Sequence, residues 1–125
     1  NVLTTASFMP LFAKVASNER AKHMNDIAVK HFLPGMPTVA YDDPSYGRNY
    51  WRGPTWLNVA YFATKGLYDY GFVDTANVIR SQIIQWVAND GDYIHENYDS
   101  KTGEGFCCDH FSWRCVFIRK FILDF

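Results

Sequence analysis

Two short stretches hold the residues whose types could do chemistry together. In "NYWRGPTW", residues 49–56, a tyrosine, two tryptophans and an arginine surround a Gly-Pro pair. A pyranose ring presents C–H patches ringed by hydroxyls, so holding one takes a flat apolar face with hydrogen-bonding groups at its edge. Tyr50, Trp51 and Trp56 supply such faces with polar edges. Arg52 supplies a rigid fork of donors. In "HENYDSKTGEG", residues 95–105, three acids sit in a turn-like run. Inverting hydrolysis of a glycosidic bond takes one protonated carboxyl for the leaving oxygen and one carboxylate to activate water. Glu96, Asp99 and Glu104 are the candidates. Glu96 lies between His95 and Asn97, with Tyr93 and Tyr98 flanking, the setting of a carboxylate among aromatics. Asp99 reads as an Asx-turn residue bonded to its own backbone. Glu104, between two glycines, reads as exposed and mobile. The plainer reading is structural: Trp51 and Trp56 as core aromatics, Arg52 paired with Asp42 or Asp43, and each acid, taken singly, a solvated surface charge.

The elements that must position these stretches are helical. Pro10 suits a helix start, where its missing N–H has no partner in any case, and "PLFAKVA" continues that helix. Asn18 is a plausible N-cap for a second helix with Ala21, Met24, Ile27, Ala28 and His31 on one face. It stops near "LPGMP", and a loop of about 18 residues follows, a length that is often functional. A third helix opens at Gly53-Pro54, contains Trp56, runs roughly 25 Å at 1.5 Å per residue and ends at Gly71. Asp74 caps a fourth, with Ala76, Ile79, Ile83 and Val87 as its apolar stripe, closed by "NDG". A second long polar loop covers 90–109, and Asp109 caps a last helix, "HFSWRCVFIRKFILDF". No segment alternates long enough to be a strand; "PTVAY" is at most a short extended piece. Short connections within each pair predict antiparallel neighbours, and the long connections between pairs carry the unusual chemistry. The last helix, apolar on nearly every side, is expected to be the most buried. The fold class is therefore all-α, built of antiparallel hairpins, and the chain reads as part of a larger helical array.

Composition narrows the function. The 125 residues are 48% hydrophobic and 18% aromatic with a net charge of −1, which gives no electrostatic case for nucleic acid or an anionic membrane. No apolar run approaches the roughly 20 residues that span a bilayer. The N-terminal "NVLTTASF" has no secretion-signal pattern and, lacking an initiator Met, reads as an interior segment. Cys107, Cys108 and Cys115 are odd in number, which favours reduced thiols and a cytoplasmic setting. Adjacent cysteines do not match the spacing of structural zinc, so no metal and no cofactor is expected, and the thiols read as partly buried near a helix start.

The segments "YDDPSY…NYWRGPTWLNVAYFATKGL", "HENYDSKTGEG" and "FSW" together resemble the C-terminal part of the catalytic domain of glycoside hydrolase family 63 and its mannosylglycerate-hydrolase-like relatives. The processing α-glucosidase of N-glycan trimming is similar there too. The likeness covers nearly the whole chain, and its two motifs in this order and separation are more specific than either alone. It implies an (α/α)6 toroid with the site in the loops at one end, which agrees with the hairpin order above, and it makes residues 1–125 a single partial domain. It implies an inverting α-glycosidase of α-glucosides or α-mannosides, with Glu96 as general base and Tyr50, Trp51, Arg52 and Trp56 lining the pocket. Phe111 and Trp113 resemble aromatics near the same pocket. Departures fall at Cys107, Cys108, Arg114 and Cys115, and bear on the packing of the last helix.

The family's general acid is an aspartate well upstream, and no segment here resembles its surroundings. The expectations are a carbohydrate substrate, and completion of the toroid by the remainder of the catalytic domain or by self-association. The isolated chain is expected to hydrolyse nothing. The alternatives are a non-catalytic helical module for sugar binding or assembly, and another α/α-toroid enzyme such as a trehalase or sugar epimerase.

Overall fold

A computed structural model describes the chain except Asp92, Asp109–Phe111 and the side chains of Ser112 and Trp113. The helices are α1 (Met9–Phe12, entered from a 3₁₀ turn at Thr5–Phe8), α2 (Asn18–His31), α3 (Leu57–Asp69), α4 (Val73–Asn89) and α5 (Ser112–Leu123). Two strands of two residues, β1 (Asn97–Tyr98) and β2 (Gly105–Phe106), form an antiparallel hairpin inside the second long connection. The all-α class and the element order hold. The hairpin is a correction: strands this short leave no period to read.

Local chemistry moved several boundaries. Helix α1 stops at Phe12 and does not continue through "AKVA", because Lys14 takes the left-handed conformation at φ 57°. The cap of α2 is Ser17, one residue before the predicted Asn18, and its Oγ accepts from Arg20 N. Helix α3 begins at Leu57 with Trp56 as its extended N-cap, so Trp56 lies outside the helix and the helix is shorter than predicted. It ends as predicted at Gly71 (φ 90°), in a Schellman arrangement where Phe72 N donates to Leu67 O and Gly71 N to Tyr68 O. Phe72, not Asp74, stands at the N-cap of α4, and Asp74 falls in the first turn.

Helix α3 is the centre, packed against α1, α4 and α5, while α2 packs on α4. The predicted pairing of the first two helices is therefore replaced by α1 on α3. Gly66 permits this, since a Cβ there would come within 2.7 Å of Leu11 Cβ and Phe12 N. Leu57, Ala60, Ala63 and Leu67 of α3 and Ala76, Ile79 and Ile83 of α4 are all buried in one hydrophobic core. Each fully buried leucine or isoleucine contributes about 1.5–3 kcal/mol. At the other side of α3, Tyr61 meets Phe117, Phe121 and Phe125 in tilted and edge-on ring contacts.

Helix α5 is not the most buried. Val116, Ile122 and Leu123 are 53%, 52% and 60% exposed, and only Phe121 and Arg114 among its described side chains are buried. An apolar helix contributes burial only against a surface that covers it, and within these residues only one of its sides is covered. The three cysteines are exposed, not partly buried. Among the described residues, no helix is long and apolar enough to cross a membrane.

Candidate active site

The first long connection is built rigidly. Residues 35–40 are buried, and an isolated bridge pairs Thr4 with Val39. Residues Tyr50–Arg52 form a single 3₁₀ turn, with Tyr50 at a positive φ of 47°. Gly47 N donates to Arg52 O at 2.7 Å, closing the turn on itself. A Cβ on Gly53 would lie 2.0 Å from Gly47 O, so only glycine fits where these two stretches of backbone cross.

This turn stands Trp51 over Trp56, ring centroids 4.0 Å apart and 10° from parallel. Tyr50 meets both indoles edge-on, at 6.0 and 5.0 Å. Trp56 is 2% exposed and donates its indole N–H to Tyr50 O at 3.1 Å. Trp51 is 42% exposed, so one face rests on Trp56 while solvent reaches the residue. A hollow of about 210 Å³ beside Trp51 is lined by Thr4, Thr5, Ala6, Thr38 and Val59. Arg52 is exposed, and among the described residues it makes no ion pair. The structural alternative for it fails, because Asp42 is bonded to His31, and Asp43 accepts from Leu3 N and Ser45 N.

The second long connection is an organised hairpin. Glu96 is half-buried just before β1, its N–H donating to Phe106 O at 3.2 Å. As predicted, Asp99 makes an Asx-type turn, its Oδ1 accepting from Lys101 N at 2.8 Å and Thr102 N at 2.9 Å. Glu104 is exposed but held, since Arg48 Nη2 lies 2.6 Å from its Oε2. Behind the hairpin, Tyr98 OH donates to Asp90 Oδ2 at 3.2 Å and accepts from His95 N at 3.1 Å; His95 Nδ1 meets the same carboxylate. Burial pushes the Tyr98 phenol up to about 12.

The two connections are joined backbone to backbone. Thr55 N donates to Tyr98 O at 2.7 Å and Tyr98 N donates to Thr55 O at 3.0 Å. Ser100 Oγ reaches Gly53 O at 3.2 Å and Tyr46 OH at 2.7 Å, and Tyr41 OH donates to Ser100 O. Thus the residue before Trp56 pairs with the residue two after Glu96. The structure puts Tyr50, Trp51 and Arg52 in one turn with Trp56 stacked beneath Trp51, and joins the residue before Trp56 to the Glu96 hairpin. Phe111 lies outside the described residues, as does the Trp113 side chain.

Sequence reasoning passed over three residues. Arg48 is two residues upstream of Tyr50, at the edge of the aromatic segment. Thr55 is an unremarked residue between Pro54 and Trp56. Arg114, read as a departure bearing on helix packing, is fully buried and donates to Ile94 O at 2.8 Å and Cys108 O at 2.9 Å, tying both ends of the hairpin segment to α5. Burial lowers the pKa of its guanidinium, and the charge of Glu96 opposes that shift.

Packed helices whose two long connections are joined backbone to backbone define part of an (α/α)6 toroid. A solved glycoside hydrolase family 63 mannosylglycerate hydrolase from Thermus thermophilus, in complex with glucose, aligns with 97% of this chain and 31% of its own, at TM-score 0.86 and 31% identity. The mannosylglycerate hydrolase of Rubrobacter radiotolerans is 32% identical over 131 aligned positions, covering 98% of this chain and 29% of that protein. Another, from a second strain of Thermus thermophilus, is 35% identical, covering 90% and 28%. The chain spans about three-tenths of the length of these relatives. Residues 1–113 match the mannosylglycerate hydrolase MGH1-like glycoside hydrolase domain, and the chain belongs to that family.

Proposed function

We propose that these residues form the part of an inverting α-glycosidase that supplies the general base and one wall of the sugar pocket. The observation that carries this reading is the Thr55–Tyr98 pairing, which fixes the aromatic turn and the Glu96 hairpin in one body. Glu96 takes a proton from water as that water attacks the anomeric carbon. The leaving oxygen is protonated by an acid that the family places upstream of these motifs. Trp51 offers its face to the ring C–H patch with Trp56 behind it, while Tyr50 and Arg52 bond hydroxyls. The substrate class is an α-mannoside or α-glucoside of a small glycoside or oligosaccharide; relatives named mannosylglycerate hydrolases favour a small anionic aglycone. The exposed side of α5 packs against the remainder of the catalytic domain, since a monomer seldom leaves an apolar face of that extent open.

The test is Glu96→Gln in the full-length protein. It should lower kcat by about 10²–10⁴-fold, the usual worth of a positioned base, with circular dichroism unchanged. Activity at the wild-type level removes Glu96 from the role. NMR of the first-formed product's anomeric proton should show inverted configuration; retained configuration overturns the mechanism.

A further inference from the structure

Arg48 joins the two connections by side chain as Thr55 and Tyr98 join them by backbone. Its Nε lies 2.6 Å from Asp99 Oδ2 and its Nη2 lies 2.6 Å from Glu104 Oε2. Its guanidinium carbon sits 5.0 Å from the centre of the Phe106 ring. These three residues belong to the turn and return strand of the hairpin, and Phe106 is the residue whose carbonyl holds the Glu96 N–H. Asp99 N also donates to Glu104 O at 2.7 Å, so both carboxylates stand where the turn closes. On its other side, Arg48 lies inside the loop closed by Gly47 N and Arg52 O, three residues before Trp51.

An exposed ion pair usually contributes little. This one differs because Asp99 is 4% exposed, and because a planar fork meets two acids while covering a ring. Burial pushes the Asp99 carboxyl up, yet the Lys101 and Thr102 amides and then Arg48 hold it below the usual carboxylate range. The ion pairs of Arg48 go to Asp99 and Glu104, so it acts on Glu96 through the hairpin.

We propose that Arg48 is a positioning residue: by bridging Asp99 and Glu104 it sets the angle of the Glu96 hairpin against the turn that carries the aromatic wall. This rests on the reading of Glu96 as the base. A small misplacement of a reacting group costs up to about 100-fold in rate, so the effect belongs in kcat more than in KM.

The experiment compares Arg48→Ala, Arg48→Lys and Glu104→Gln in the full-length protein. Arg48→Ala should lose about 10- to 100-fold in kcat with KM within about twofold, and added guanidinium ion should restore part of the loss. Arg48→Lys, which keeps the charge but not the fork, should fall between. Amide exchange at Glu96 and Gly103 should quicken in Arg48→Ala without quickening in the α3 core. Should Arg48→Ala fail to fold, Glu104→Gln, which leaves the Asp99 pair intact, must show the same two changes in smaller measure. Unchanged exchange at Glu96, or a loss confined to KM, overturns the proposal. A wild-type protein without glycosidase activity would defeat the functional reading, while the exchange rates would still decide whether Arg48 holds the hairpin.

Discussion

Thr55 and Tyr98 exchange both of their backbone hydrogen bonds, although they come from connections separated by the whole of α3 and α4. Each residue sits close to a functional one: Thr55 precedes Trp56, and Tyr98 lies two residues after Glu96. Both are fully buried, so no water competes for the paired N–H and C=O groups. The site geometry descends from this pair.

Thr55→Pro removes the N–H that Tyr98 O accepts and leaves that buried carbonyl without it. The expected cost is about 1–3 kcal/mol in stability, with a loss of kcat in the full-length protein. Thr55→Val keeps the bridge and loses only the Oγ1 bond to Gly35 O, so it should destabilise without comparable loss of kcat. Denaturant unfolding alongside steady-state kinetics checks this. Equal kcat losses in the two variants would show that the bridge does not align the site.

Trp51→Ala should weaken sugar binding, raising KM roughly tenfold, the equivalent of about 1.4 kcal/mol, while Trp51→Phe keeps a flat face and most of the affinity. Trp51 is partly exposed and rests on Trp56, so its removal should cost little stability but uncover the second indole. Quenching of tryptophan emission by a water-soluble quencher should increase in Trp51→Ala. An unchanged KM would place the sugar elsewhere.

The buried phenols give a pH signature. Burial pushes Tyr98 and Tyr41 up to about 12 from an ordinary 10.0. Below pH 10 both are protonated in folded and unfolded chains, and their contribution is complete. As pH rises from 10 towards 12 the unfolded chain gives up these protons first, so stability falls across that window. Tyrosinate absorbance should show a late-titrating component from Tyr98 and Tyr41, rising towards pH 12. A single uniform titration near 10 would contradict the packing of the hairpin.

By itself the sequence determined the helical class, the order of the elements, the stop at Gly71 and the Asx turn at Asp99, since each depends on neighbours within a few residues. It also marked the two motifs, because aromatic and acidic residues on glycine-bearing loops are conspicuous without knowing where they go. Only the tertiary structure decided that α1 packs on α3, that Trp56 lies beneath Trp51, and that Arg48 and Arg114 hold the hairpin from either side. It also decided that one side of α5 stays uncovered. Those contacts join residues some 5 to 56 positions apart, with separations such as that of Arg48 and Glu104 fixed by packing rather than by local conformation. An arginine has the same composition and local propensity whether it bridges two carboxylates, fills a core or faces water. Its partner is chosen only when the helices between them have packed.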